Sequence, residues 1–168
     1  MMIRLSKKSD IDNIMLVVNQ TIDIMVRENN PQWNKYYPTS SEFLNDIKSK
    51  HLYIYEINNE IGGLLCLNTE EPEEYNAIQW SLPDTALVLH RVTVNPVYRR
   101  QHIGTKLLQF AENLAFVSGY HYLKTDTYST NYPMNNLFLQ LGYRKTGEIY
   151  LNKKPKTFNC YEKILMHT

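Results

Sequence analysis

The stretch LVLHRVTVNPVYRRQHIGTKLL, residues 87–108, decides the fold. Its first half is a strand-type run of apolar and β-branched residues that begins at Ala86 and stops at Asn95-Pro96. Two arginines, Gln101 and His102 then precede a lone glycine, Gly104. From there apolar residues recur at helical spacing (Ile103, Leu107, Phe110, Ala111, Leu114), which predicts a helix over 103–118, with Gly119 at its end. A strand therefore passes through a basic loop into a helix start. The first amides of a helix lack intrahelical partners and sit at the positive end of its dipole. Phosphate oxygens satisfy both conditions, and Arg99, Arg100 and the Thr105 hydroxyl add to them. The same residues also suit an ordinary basic loop before a solvated helix start, and the stretch alone leaves both readings open.

Working outward, Tyr122–Tyr128 reads as a strand and 133–141 as a short helix, with Pro133 in its first turn and Gly142 after its end. Residues 144–150 and 159–165 read as closing strands. Upstream, Met2–Leu5 alternates like a short strand, and Ile11–Arg27 carries a helical stripe that Ser9 or Asp10 caps and Asn29-Asn30-Pro31 ends. A polar and aromatic linker, QWNKYYP (32–38), leads to a helix opened by Ser40 or Ser41, with Glu42 in its first turn. Leu52–Ile57 and 61–67 form a hairpin around Asn58-Asn59-Glu60, and the acidic run TEEPEEYN (69–76) is a solvated loop. The order is βααββ, then βαβαββ. The strand–helix–strand unit around 103–118 favours a parallel pair and the hairpins favour antiparallel ones. One α/β domain over 1–168 is expected, with a mixed sheet carrying helices on its faces.

Composition narrows the function classes. A formal net charge of +1 on 168 residues argues against a nucleic-acid or membrane-surface binder. No apolar run reaches the roughly 20 residues that span a bilayer, and MMIRLSKKSD lacks the apolar centre of a signal peptide. With only Cys66 and Cys160, a disulfide framework is not expected and a cytoplasmic location fits. His51, His90, His102, His121 and His167 show neither HExxH nor zinc spacing with cysteine, so no metal is expected. The phosphate motifs G-x-x-x-x-G-K-[ST] and G-x-G-x-x-G fail, and G-x-S-x-G and C-x-x-C are absent.

What remains resembles the acetyl-CoA signature of the GCN5-related N-acetyltransferases (GNAT), V-x-P-x-x-R/Q-x-x-G-x-G/A after a strand and before an apolar helix. Here Val94, Pro96, Arg99 and Gly104 match, and His102 replaces the first glycine. A second block, NYPMNNLFLQLGY (131–143), is similar to the family's N-x-x-A-x-x-x-Y-x-x-x-G-F/Y, with Met134 for the alanine and Phe138 for the tyrosine. The resemblance implies a splayed mixed sheet of about seven strands with about four helices. It implies one activity, transfer of an acetyl group from acetyl-CoA to a primary amine by direct attack. The expected acceptor is a small molecule, with a peptide N-terminus as the alternative. A homodimer is compatible with it.

The same resemblance assigns the site. Backbone groups of Val92, Thr93 and Val94 would pair with pantetheine and polarise the thioester carbonyl. The segment Arg99, Arg100, Gln101, His102, Ile103, Gly104 and Thr105 would cradle the pyrophosphate. A right-handed helical φ is open to histidine, so the cradle should survive His102. Asn131 would bond the pantetheine arm, and Phe138 stands on the cofactor side. Phenylalanine cannot protonate a leaving thiolate. Tyr132, Tyr143 and Tyr161 are the substitutes, with Tyr161 carried forward; a thiol with a pKa of about 8.5 also leaves tolerably unaided. The phenylalanine leaves room for a non-catalytic acyl-CoA-binding module. Asp126 and His90, the latter sharing strand parity with Val92 and Val94, are equal candidates for the base, beside water. Trp33, Tyr36 and Glu162 are the candidate acceptor contacts, although Trp33 equally suits a core position and Glu162 an exposed strand.

Overall fold

The sheet takes its shape from which strands the chain folds back on and which it crosses over to. In the computed structural model, which describes residues 2–166, the strands are β1 (Met2–Leu5), β2 (Leu52–Ile57), β3 (Glu60–Asn68), β4 (Leu87–Val94), β5 (Tyr122–Tyr128), β6 (Arg144–Ile149) and β7 (Phe158–Ile164). The helices are α1 (Ile11–Arg27), α2 (Ser40–Lys48), α3 (Ile103–Val117) and α4 (Tyr132–Gln140). The seven strands order as β1-β2-β3-β4-β5-β7-β6. β4 and β5 pair in parallel, joined by the crossover through α3; β1–β2, β2–β3, β5–β7 and β6–β7 are antiparallel. This is the mixed α/β architecture expected from the chain order.

The chain forms two compact units. One holds the chain up to Leu67 with Arg91–Phe110, the other Asn68–His90 with the chain from Ala111 onward. In the first, Ile14, Val18, Phe43, Leu52, Ile54 and Leu64 are buried together, and Trp33 joins them at 5% exposure. In the second, Val88, Tyr128, Phe158 and Cys160 form a core with Tyr75.

Several local readings are corrected. The cap of α2 is Thr39, one residue before the serines. Its hydroxyl accepts the Ser41 amide at 3.3 Å, and Glu42 Oε2 accepts the Thr39 amide at 2.7 Å, a reciprocal box that outcompetes a serine inside the turn. Asp10 stands at the N-cap position of α1 as expected but makes no side-chain cap bond, because its carboxylate is taken by the Arg4 guanidinium at 2.9 Å and the Lys7 amide at 2.7 Å. The hairpin turn is Asn58-Asn59 alone, both left-handed (φ 50° and 64°), and Glu60 already pairs with Ile57. The acidic run is not simply a solvated loop: Glu73–Ala77 is a short 3-10 turn that buries Tyr75.

Glu162 on β7 is neither exposed nor available as a free charge. It is 2% exposed, and its oxygens accept the Ser81 amide at 3.0 Å, the Ser81 and Tyr122 hydroxyls and the Arg144 guanidinium. Burial pushes this carboxyl up, but the hydrogen bonds from Ser81, Tyr122 and Arg144 outweigh it and hold its pKa at about 2. A group whose folded pKa lies below its unfolded 4.5 stabilises the fold above that value and loses the contribution as pH falls toward 2. Glu162→Gln is therefore expected to lower the melting temperature at neutral pH. It should also flatten the acid limb of a stability-against-pH curve between 4.5 and 2, read by denaturant midpoints; an unchanged limb would assign the acid sensitivity elsewhere.

Candidate active site

The turn from β4 to α3 is built on Asn95. Its amide donates to the Gly62 carbonyl at 2.9 Å and its side chain donates to the Ile61 carbonyl at 2.7 Å and accepts the Val97 amide at 3.0 Å. Pro96–Tyr98 makes one 3-10 turn, after which the Arg99 guanidinium lies 3.4 Å from Glu28. Arg100 (φ 65°) and His102 (φ 58°) are then left-handed, with Gln101 between them on the ordinary side of the map. Alternating handedness of this kind turns successive amides toward one concavity, an arrangement that takes anions. The Lys106 amide donates to the His102 carbonyl at 3.0 Å, which makes this the first bond of α3. The amides of Ile103, Gly104 and Thr105 thus have no preceding turn to bond to.

His102 is a correction. It does not take the right-handed φ expected of it but the left-handed one, where a side chain costs about 1–2 kcal/mol. Its imidazole is exposed and, like the Arg100 guanidinium, makes no hydrogen bond or ion pair among the described residues. The left-handed turn is made although the glycine that would form it without strain is missing. The glycines that matter sterically lie on β3: a Cβ on Gly63 would stand 2.8 Å from the Thr93 carbonyl oxygen and 2.9 Å from Leu107 Cδ1. Arg91 is also left-handed, φ 53°, in the middle of β4. The two-residue alternation does not carry through such a residue, so the parity expected to link His90 with Val92 and Val94 does not hold. Thr93 is buried, with its hydroxyl donating to the Arg91 carbonyl at 3.0 Å, and Val92 and Val94 are half-buried.

The second unit holds the proton-transfer candidates. Pairing of β4 with β5 runs from Leu87↔Leu123 to Leu89↔Thr125, so His90 and Asp126 each stand just past the end of that pairing. His90 Nε2 lies 3.0 Å from Asn68 Oδ1 and 3.0 Å from the Glu70 carbonyl. The Glu70 amide donates to that same Oδ1 at 2.9 Å, so Nε2 faces two acceptors and carries the proton. The Tyr75 hydroxyl donates to Asp126 Oδ2 at 2.7 Å. Burial raises the Asp126 carboxyl to about 6, against the pull of the Tyr75 bond and with a further push from Glu74. One segment, 68–77, therefore orients both candidates. The sequence reading missed Asn68 and Tyr75; the available signal was a single aromatic inside an acidic run.

The remaining residues are placed as follows. Asn131 precedes α4, accepts the Met134 amide at 3.4 Å and donates to the Thr127 hydroxyl at 3.2 Å. Phe138 is buried between the rings of Tyr143 and Tyr161, each 5.3 Å away. The Tyr161 hydroxyl donates to Asn135 Oδ1 at 2.6 Å, and burial raises its pKa. Tyr143 is buried and raised likewise, with Glu112 adding to it, whereas Tyr132 is exposed. Trp33 is a core residue. Tyr36 is 75% exposed with the Lys35 ammonium 4.9 Å over its ring. Among the described residues no group of three or more His, Cys, Asp or Glu could hold a metal ion, and His167 lies outside them. Nor is any helix among them long and apolar enough to cross a membrane.

The model of the acetyltransferase (GNAT) family matches residues 18–143, most of the chain. The chain belongs to the acetyltransferase (GNAT) family. It is an acyltransferase by that membership. A GNAT-family acetyltransferase of Streptococcus agalactiae superimposes with a TM-score of 0.87 at 22% identity, over 99% of this chain and 96% of that one. A candidate acetyltransferase of Staphylococcus aureus matches at 29% identity with a TM-score of 0.78, over 99% and 100%. A Salmonella typhimurium candidate acetyltransferase, solved with its cofactor acetyl-CoA, shares the fold with a TM-score of 0.73 at 17% identity, over 100% and 95%. No curated protein matches.

Two substitutions separate the GNAT cradle from its supports. His102→Gly removes a left-handed side chain while keeping the amide, so the melting temperature should hold or rise and acetyl-CoA affinity should stay within about threefold; a tenfold loss, about 1.4 kcal/mol, would give the imidazole a contact with the cosubstrate. Asn95→Ala strips two buried side-chain bonds and is expected to destabilise by about 1–3 kcal/mol and to weaken acetyl-CoA binding in calorimetry.

Proposed function

We propose that the protein transfers the acetyl group of acetyl-CoA to the primary amine of a small molecule, by direct attack and with Asp126 as the base. The observation that carries the reading is the amide concavity from Arg100 to Thr105, which fits a pyrophosphate: donors converge there, Arg100 adds an uncommitted charge, and no acidic side chain occurs between Arg99 and Glu112. Acetyl-CoA, when bound, supplies the thioester. The strand backbone at Val92–Val94 would hold the pantetheine arm, and Asn131, at the N-cap of α4, is the further residue that the family resemblance assigns to it. A primary amine must shed a proton to react, and a carboxyl near 6 accepts it at neutral pH. His90 is the second choice, through Nδ1, because Nε2 is already donating. Asp126 is half-buried and engaged by Tyr75, a setting that favours a compact amine over a chain end that brings its peptide backbone along.

Phe138 supports one other reading, an acyl-CoA-binding module without turnover. Phe138 has no proton to give, and the neighbouring Tyr161 hydroxyl is committed to Asn135. Assaying free CoA release against amino acids, polyamines, aminoglycosides and N-terminal peptides decides between them. Release with one small amine, abolished by Arg100→Glu, supports acetyl transfer. Binding without release from any amine supports the module, and release with the peptides alone moves the acceptor class. In the active enzyme kcat is expected to rise with pH through about 6, because Asp126 works only when ionised. Asp126→Asn should abolish that limb and cost about 100- to 10,000-fold in kcat; a limb that survives the substitution would transfer the role to His90 or water.

A further inference from the structure

Arg91 is a bulky residue in a left-handed conformation inside a strand, φ 53°, which chains of L-residues avoid unless something holds them there. Its side chain shows what holds it. Nε and Nη2 both donate to Asp46 Oδ2, at 2.9 and 2.5 Å, and Nη1 donates to the Tyr37 hydroxyl at 3.2 Å. The guanidinium carbon lies 6.0 Å from the Phe43 ring centroid. The pair is secluded, with side-chain exposures of 15% for Arg91 and 10% for Asp46. Asp46 lies in the last turn of α2, and the His51 amide donates to its carbonyl at 2.9 Å, so the anchor is fixed at both ends. All of these groups lie within the first unit.

We infer that Arg91 is a positioning residue for acyl transfer: its ion pair with Asp46 holds the left-handed turn of β4 and thereby aims the backbone of Val92–Val94. The inference rests on the acetyl-transfer reading for what that backbone does. Three features favour it over a purely packing role. The strain sits on the one residue of β4 that is tethered by charge. The turn resets side-chain alternation immediately before the residues assigned to the pantetheine arm. The Thr93 hydroxyl closes back onto the Arg91 carbonyl at 3.0 Å, so the turned segment is tied at its next residue. The tether also joins β4 to Tyr37 in the aromatic linker, where the acceptor contacts were expected. A guanidinium that grips one carboxylate oxygen through two N–H groups fixes direction as well as distance, which lysine cannot reproduce.

The test separates the tether from the conformation. Glycine adopts a left-handed φ without strain, whereas alanine does not. Both substitutions are made with Asp46→Asn, so that no buried carboxylate is left unpaired. R91A/D46N is expected to lose about 100-fold in kcat, with the acetyl-CoA Kd changed less than about threefold, the pattern of a misaimed rather than an absent group. R91G/D46N should regain at least about tenfold of that loss, since it can keep the turn, and R91K should fall between R91A/D46N and wild type. Equal impairment of the glycine and alanine variants would overturn the inference, as would an alanine variant that loses melting temperature but keeps kcat. Crystal structures of the two variants give an arm independent of turnover. Residue 91 is expected to leave the left-handed region in the alanine variant and stay there in the glycine one; an alanine that stays left-handed sinks the tether. A wild type that never releases CoA would count against the acetyl-transfer reading and leave this structural arm to decide.

Discussion

The hydrogen bonds of Asn95 to its surroundings fix where β4 ends and where α3 begins. With its amide and carboxamide committed to the Gly62 and Ile61 carbonyls, the chain must turn at Pro96, and the helix must start within a few residues. An anion cradle made of amides has no side chain to adjust its aim, so its quality is set by where those amides are anchored. The anchoring is steric as well as polar. Gly62 and Gly63 leave no Cβ on β3 where Ile103 and Leu107 of α3 lie, and any side chain at Gly63 would push against the Thr93 carbonyl. The strand, the turn and the helix start therefore form one device in which a residue without chemistry, Gly63, is as constrained as one with it.

The chain meets this demand with an unusual choice of residues. Arg91, Arg100 and His102 are all left-handed and none is glycine. Each carries a local strain that tertiary contacts must offset. For Arg91 the offset is visible in Asp46 and Tyr37. For Arg100 and His102 the described residues supply no side-chain partner, and the constraint falls on the backbone between the Pro96 turn and the first bond of α3. A ligand anion that draws the same amides together would share that cost.

The elements themselves were legible because each carries a periodic pattern and its own punctuation. The bounds of α1, β2 and β5 match their apolar spacing, and Asn29-Asn30-Pro31 stops α1 as its chemistry dictates. The basic loop before the start of α3 was legible as composition, but its handedness was not. A φ value depends on what the turn is tied to, and the ties of Asn95 reach back to residues 61 and 62. The same reason hid Tyr75 and Asn68. Reading an acidic run as solvated uses its average polarity, whereas one aromatic in that run decides its fate by burying itself against β5 and meeting Asp126. Glu162 failed in the opposite direction: its charge suggested a ligand, and only the fold shows that Arg144, Ser81 and Tyr122 already occupy it.

Asp126 and Glu162 make the functional argument sharper than either does alone. They stand on neighbouring strands, on residues whose pairing partners are Cys160 and Lys124; Glu162 is buried and Asp126 half-buried. Burial acts on the two in the same direction. What differs is the company: four donor groups around Glu162 against one hydroxyl at Asp126, which also feels Glu74. The result is one carboxyl locked in its charged form near 2 and one that changes protonation near 6. A structural anion needs the first condition, and a base that must take up and release a proton in each turnover near neutral pH needs the second. The same residue type is thus divided between a carboxyl held as an anion and one free to titrate, the state the proposed base requires, by the number of donors each is given.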